Sequence, residues 1–431
     1  MKNRDSILGL VLALLVGTSL FLSGITWWRF SDQYADVQNE YYGMSVVDLS
    51  DVIAPNRVVL HFAQDMHSIL YPNRPFYREI WDYARKVLDG KELVEVNNPE
   101  LDDDNLRQKV GMELIFPVPL PVDFLTKVFN MNAGQQAIPQ ERAVISMMIV
   151  EEDGLSVFFK GSGGEFYALK TKGSSSELRK LLEQARLENP PAYTYLPPAK
   201  INVKLEEGIY VPLTTGQEEF PVLSVRYEKI PSQGTIAQFF PDFSVTRKIE
   251  EKDGAVVYTD GSRGLRIYPN GALEYSRPLA GGVKVGSNFY DALTVAVNFI
   301  NTHGGWPKDV YLAGYRAAEN QKSGYTFNFG IRIEGLPLMS KSDCLTVTVE
   351  ENQVSRYFRN IVRQNKVLHE IKPISPIQAL DAAIATFNLK EIDFLELSYL
   401  KVDDELIPVW TVVSRSKRFF INASNGMAVN F

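Results

Sequence analysis

Hydrophobic and polar positions follow three rhythms along the chain. From Ser6 to Trp28 there is no charged side chain, an uninterrupted run of 23 residues. Coiled as a helix it is about 34 Å long at ~1.5 Å per residue, enough to cross the hydrocarbon core of a bilayer with some tilt. The second rhythm is helical. In PFYREIWDYARKVLDG (75–90), Phe76, Ile80, Tyr83, Ala84, Val87 and Leu88 recur on one face, with Pro75 near the start and Gly90 just past the end. Three more helices are expected over 174–189, 288–301 and 376–388. The first has Ser174 and Glu177 at capping-box spacing; the last has Ser375 as cap, Pro376 at its first position and Gln378 closing a box.

The third rhythm alternates, as strands do. VIAPNRVVLHF (52–62) starts one strand. AVISMMIV, LSVFFK and EFYALK follow one another across turns at Asp153-Gly154 and Gly163-Gly164. SVTRKIE, AVVYT, RGLRIYP and ALEYS form a meander within 236–277, punctuated by Asp253-Gly254, Asp260-Gly261 and Asn270-Gly271. Such dipeptides favour hairpins because type I′ turns need φ > 0 at both central residues. The helix at 288–301 precedes DVYLAGYR, YTFNFGIRI, CLTVTVEE and VSRYFRN, and the helix at 376–388 precedes FLELSYLKV, IPVWTVVS and KRFFINA. The reading is an α+β chain: one N-terminal transmembrane helix, then an exported multi-domain region of antiparallel β-meanders packed with helices. Two helix-plus-meander units fill its C-terminal half. The expected divisions are a cytoplasmic start (1–5), a spanning helix (6–28), an N-terminal α/β domain (31–190), a middle domain (199–365) and a C-terminal unit (366–431). Pro190-Pro191 and Pro197-Pro198 make the connector ENPPAYTYLPP stiff.

Charge orients the apolar run. Lys2, Arg4 and the α-amino group precede it, offset only by Asp5, while Arg29 is followed by Asp32, Asp36 and Glu40. That asymmetry places the N-terminus in the cytoplasm and the bulk of the chain outside, with Trp27, Trp28 and Phe30 in the outer interfacial belt. The run is longer than the apolar core of a signal peptide, and Gly24-Ile25-Thr26 is a poor cleavage site, so a retained single-pass anchor in the cell membrane is expected. A net charge of −7 offers no basic footprint for nucleic acid. Cys344 is the sole cysteine, so no internal disulfide is possible; its setting in CLTVTV reads as a buried strand position.

Residues suited to chemistry are few. His61 falls in a strand and His67 in a loop, so neither they nor His303 and His369 form a metal-binding helix, and structural roles are expected for all four. LDDDNLRQ (101–108) lacks the spacing of a calcium loop and reads as a solvated acidic loop. KGSGGEF (160–166) links two strands as a hairpin turn, and HGGWP (303–307) caps a helix through Gly304. No catalytic, cofactor-binding or metal-ligating residue is assigned, and no enzyme is expected. Attention moves to the anchor. Gly9, Ala13 and Gly17 lie four apart on one helix face, and Ser19 and Ser23 repeat that step beside it. Small residues let a second helix approach closely in lipid, where association rests on van der Waals packing.

VIAPNRVVLHF, YTDGSRGLRIYPNGALEYSRP, FINTHGGWP and IPVWTVVSRSKRFFINASNGMAV together resemble the YycH family over nearly the whole chain. The last part is also similar to YycI and, more distantly, to PepSY modules. The resemblance implies a non-enzymatic, membrane-anchored extracytoplasmic regulator of the sensor histidine kinase WalK (YycG), which controls cell-wall metabolism. It would assemble with a YycI-like protein and the kinase partly through transmembrane helices, and would need no cofactor. A different class stays open: an extracytoplasmic module binding a wall fragment or peptide, or inhibiting a protease as PepSY-type modules do.

Overall fold

The computed structural model describes residues 15–19, 46–62, 65–96, 101–133, 142–169, 173–201, 203–213, 218–228, 233–278, 287–318, 324–341 and 344–430. These form a mixed α+β structure on two large, mostly antiparallel sheets. The first has ten strands, in the order Ile209–Pro212, Tyr193–Leu196, Met66–Leu70, Arg57–Phe62, Gly111–Pro121, Ala143–Glu151, Leu155–Gly161, Phe166–Leu169, Glu92–Val96 and Asn132–Ala133. Strand Arg57–Phe62 lies near its middle and is enclosed on both faces. Its Val58, Leu60 and Phe62 join the main core with Ile80, Trp81 and Ala84 of helix Tyr77–Leu88 and Leu178, Leu182 and Ala185 of helix Ser176–Leu187. Val59 and His61, on alternate positions, face the other way.

Helix Tyr77–Leu88 presents the face its spacing predicts, widened by Trp81, whose ring meets Phe129 edge-on at 5.7 Å. The capping box expected at Ser174 and Glu177 does not form. The cap falls one residue later, at Ser175, which leaves Glu177 in the second helical position rather than the third. Ser174 Oγ instead accepts the Ser176 N–H, and Glu177 pairs with Lys86 at 2.9 Å. The box at Ser375 and Gln378 does form, with both reciprocal bonds present. LDDDNLRQ is not a solvated loop: Asp102 caps a short helix, Asp103–Arg107, that buries Leu106 and Arg107. His67 lies in strand Met66–Leu70, directly opposite His61, and not in a loop.

The second sheet has fifteen strands. The meander Arg247–Glu250, Val256–Thr259, Gly264–Ile267 and Leu273–Ser276 forms one end, and Gly254, Gly261 and Gly271 turn with φ of 85°, 89° and 92° as their hairpins require. It continues through Gln353–Arg359, Leu345–Glu350 and Gly324–Ile333, over which helix Phe289–Thr302 lays Phe289, Ala292, Leu293, Ala296 and Val297. That helix ends at Thr302, where Gly304 takes φ of 92°. Cys344 is buried, directly before strand Leu345–Glu350. Leu336–Met339 then pairs in parallel with Phe394–Val402, bringing in Glu405–Ser414 and Lys417–Asn422. Helix Pro376–Phe387 packs on these C-terminal strands and also on Ile209–Pro212, so Ala379, Leu380 and Ala383 share a core with Leu205 and Ile209.

A second seam ties the sheets together. Arg332 is buried, donates to Ala54 O at 3.1 Å and Asn56 Oδ1 at 2.9 Å, and lies 4.0 Å over the Tyr311 ring. The Tyr315 hydroxyl donates to Pro119 O at 2.9 Å, and Phe124 meets Phe289 edge-on at 5.0 Å. Most of the apolar run 6–28, and the start 1–5, lie outside the described residues. Residues 15–19 are helical and exposed, and among the described residues no helix is long and apolar enough to cross a membrane. The seam predicts that Arg332→Met, which keeps the aliphatic bulk but strands two acceptors, lowers stability by about 1–3 kcal/mol in urea denaturation.

Candidate functional site

Of the small residues expected to form an interaction face, Gly17 and Ser19 fall in the described helical residues. Both are exposed, and a Cβ built on Gly17 meets nothing within 4 Å. Gly9, Ala13 and Ser23 lie outside the described residues. Among the described residues no group of three His, Cys, Asp or Glu side chains is placed to hold a metal ion.

A buried charge centre lies on the face of the first sheet opposite helices Tyr77–Leu88 and Ser176–Leu187. Cross-strand pairing sets Val59 opposite Glu113 and His61 opposite His67, so alternation turns all four to that face. Arg107 reaches in from its short helix, and its Nε and Nη2 donate to the two Glu113 oxygens at 2.9 and 2.8 Å. Its Nη1 donates to the Tyr195 hydroxyl at 2.8 Å, and the Tyr210 hydroxyl donates to Glu113 Oε2 at 3.2 Å. Asp65 accepts from His67 Nε2 at 3.1 Å, which leaves the His67 Nδ1 of a neutral ring to accept from His61 Nδ1 at 2.9 Å. His61 Nε2 is then a bare acceptor without a hydrogen-bond partner, 3.9 Å from Glu113.

Burial pushes the Glu113 carboxyl up, but the charge and hydrogen bonds of Arg107 more than offset it and hold the group at about 2. Burial lowers His61 to about 3, so the ring is neutral. His61 and His67 are 0% and 1% exposed. Both rings are enclosed by the protein in this conformation. The lid of the centre is the antiparallel pair of strands Tyr193–Leu196 and Ile209–Pro212. Gly208 makes that lid possible, because a Cβ there would stand 2.4 Å from the Tyr195 ring and hydroxyl.

Beyond the lid, a cleft opens between the first sheet and the C-terminal strands. Two adjoining cavities, of about 110 and 630 Å³, share Arg57, Tyr71, Glu207, Asp393, Phe394, Glu396 and Leu397. Tyr193, Tyr210, Phe220, Ile374 and Trp410 add apolar wall. The Arg57 guanidinium stacks 5.4 Å from the Phe394 ring, and its Nε is buried with no acceptor. Burial pushes the Glu396 carboxyl up to about 7, against the pull of Arg57, Arg418 and Arg332. Glu218, on the rim, is already answered by Arg74 at 2.9 Å and the Tyr193 hydroxyl at 3.0 Å. Apolar walls with a few converging polar groups are the usual make-up of a binding site. Sequence reading missed all of these residues, since Arg57 and Glu396 stand more than three hundred positions apart with no motif around either.

The charge centre sets a pH response. Unfolded histidine protonates near 6.5, whereas folded His61 stays neutral down to about 3, so stability falls as pH drops through that window. Glu113 acts in the same direction lower down, between its ordinary 4.5 and about 2. Between pH 7 and pH 5 the His61 contribution is about 2 kcal/mol. His61→Gln should shrink the stability lost over that interval by this amount in chemical denaturation; an unchanged slope would show that His61 is charged in the fold.

No family model and no curated protein matches the chain. Among solved structures, the crystal structure of YycH from Bacillus subtilis is similar with a TM-score of 0.63. The match covers 89% of this chain and 99% of that one at 12% identity, a level at which likeness speaks for the fold alone. The chain has a YycH-like fold, in agreement with the resemblance its strand and turn segments carry.

Proposed function

We propose that the chain is a membrane-anchored extracytoplasmic regulator of a WalK (YycG)-type sensor histidine kinase controlling cell-wall metabolism. In this reading residues 6–28 span the cell membrane once, with the N-terminus in the cytoplasm. A YycI-like protein and the kinase are its partners, met partly through the face of Gly9, Ala13, Gly17, Ser19 and Ser23. The observation that carries the reading is the match to YycH along almost the full length of both chains. A second reading, an extracytoplasmic binding module, draws on the cleft.

Replacing residues 6–28 with an unrelated spanning helix tests the first reading. At equal protein level, transcription from kinase-dependent promoters should change; unchanged output would reduce the segment to an anchor. Because Cys344 is the sole cysteine and is buried, a cysteine placed within 9–23 reports cross-links from that helix alone. Cross-links to the kinase or the YycI-like partner are expected from the small-residue face and absent from the opposite one.

A further inference from the structure

We propose that the cleft between the two sheets receives an extended segment of a partner polypeptide, which adds as a strand to the open edge at Phe394–Leu397 and sets a basic side chain against Glu396. The inference does not depend on the kinase reading.

Geometry identifies the guest as a strand. Side chains of a strand alternate, so a strand that shows a cavity its face contributes every second residue. Phe394, Leu395, Glu396 and Leu397 all line this cavity in succession, so the strand presents its edge. On the other edge these four pair with residues 410–413. Leu336–Met339 covers the near edge only at Tyr399 and Leu400. From Phe394 to Leu397 the backbone groups turned toward the cleft therefore have no strand partner among the described residues. An exposed edge of this kind is a template for another chain. An extended peptide offers N–H and C=O groups at matching spacing, which a sugar or a lipid does not.

Polar groups in the walls narrow the choice of peptide. Arg57 Nε is a buried donor without an acceptor and suits a guest carbonyl. Glu396 makes no hydrogen bond or ion pair among the described residues, and Glu207 and Asp393 line the same cavity. Acidic groups thus outnumber the single arginine in the narrower cavity once Glu218 is paired with Arg74. A lysine or arginine on the guest would complete that set, and the aromatic walls would cover its apolar neighbours.

The test titrates the full chain against fluorescein-labelled acetyl-VKVKV-amide, its backbone N-methylated form, and acetyl-VTVTV-amide, read by fluorescence anisotropy. The lysine peptide should bind saturably and its N-methylated form should not. Glu396→Gln should weaken the lysine peptide by about tenfold while leaving the threonine peptide unchanged. Binding that survives N-methylation, or that ignores Glu396→Gln, overturns the proposal. Absence of saturable binding overturns it too, whether this chain or a small wall fragment fills the cleft. Self-association lost in Glu396→Gln would assign the edge to a second copy and overturn the partner segment.

Discussion

A carboxylate turned inward from the middle of a sheet must be answered, and Glu113 governs much of what surrounds it. Leaving such a charge unpaired costs about 3–5 kcal/mol, so the fold supplies Arg107 in a bidentate grip. Arg107 is itself removed from water, and its third nitrogen donates to Tyr195 while Tyr210 donates to Glu113. The two tyrosines sit on one antiparallel strand pair, which both covers the charge centre and forms a wall of the cleft. One buried ion pair thereby dictates a lid, and the lid shapes the site.

The second sheet reaches the same place by apolar packing. Helix Pro376–Phe387 uses Ala379, Leu380 and Ala383 to join the C-terminal strands to Leu205 and Ile209 of the lid region. Arg332 fastens the far side of the seam through Ala54 and Asn56. With both ends held, the stretch Phe394–Leu397 faces the first sheet without pairing to it, which is how an edge stays open inside a well-packed body. The match to YycH at 12% identity and a TM-score of 0.63 is likewise one of fold.

Helix Tyr77–Leu88, the capping box at Ser375 and Gln378 and the Gly-marked hairpins were legible in the sequence because each depends on neighbours within one or two turns. The Ser174 box failed because several serines in a row offer alternative caps, and a one-residue shift moves Glu177 out of reach. LDDDNLRQ looked solvated because its three aspartates dominate the pattern, yet Leu106 and Arg107 are the residues that face inward. Nothing local announces that Arg107 will meet Glu113, or that His67 will lie opposite His61.

By itself, then, the sequence determined the class of the protein. Uninterrupted apolarity over 6–28, alternation and helical spacing beyond it, and one cysteine define an α+β chain without disulfides. These are properties of periodicity and composition, readable one segment at a time. Only the tertiary structure decided which polar groups share a space. Arg57 and Glu396 come from strands of different sheets and face one cleft because long-range pairing and the seam put them there. Such proximity is set by register and docking, and neither leaves a mark on the residues around each partner.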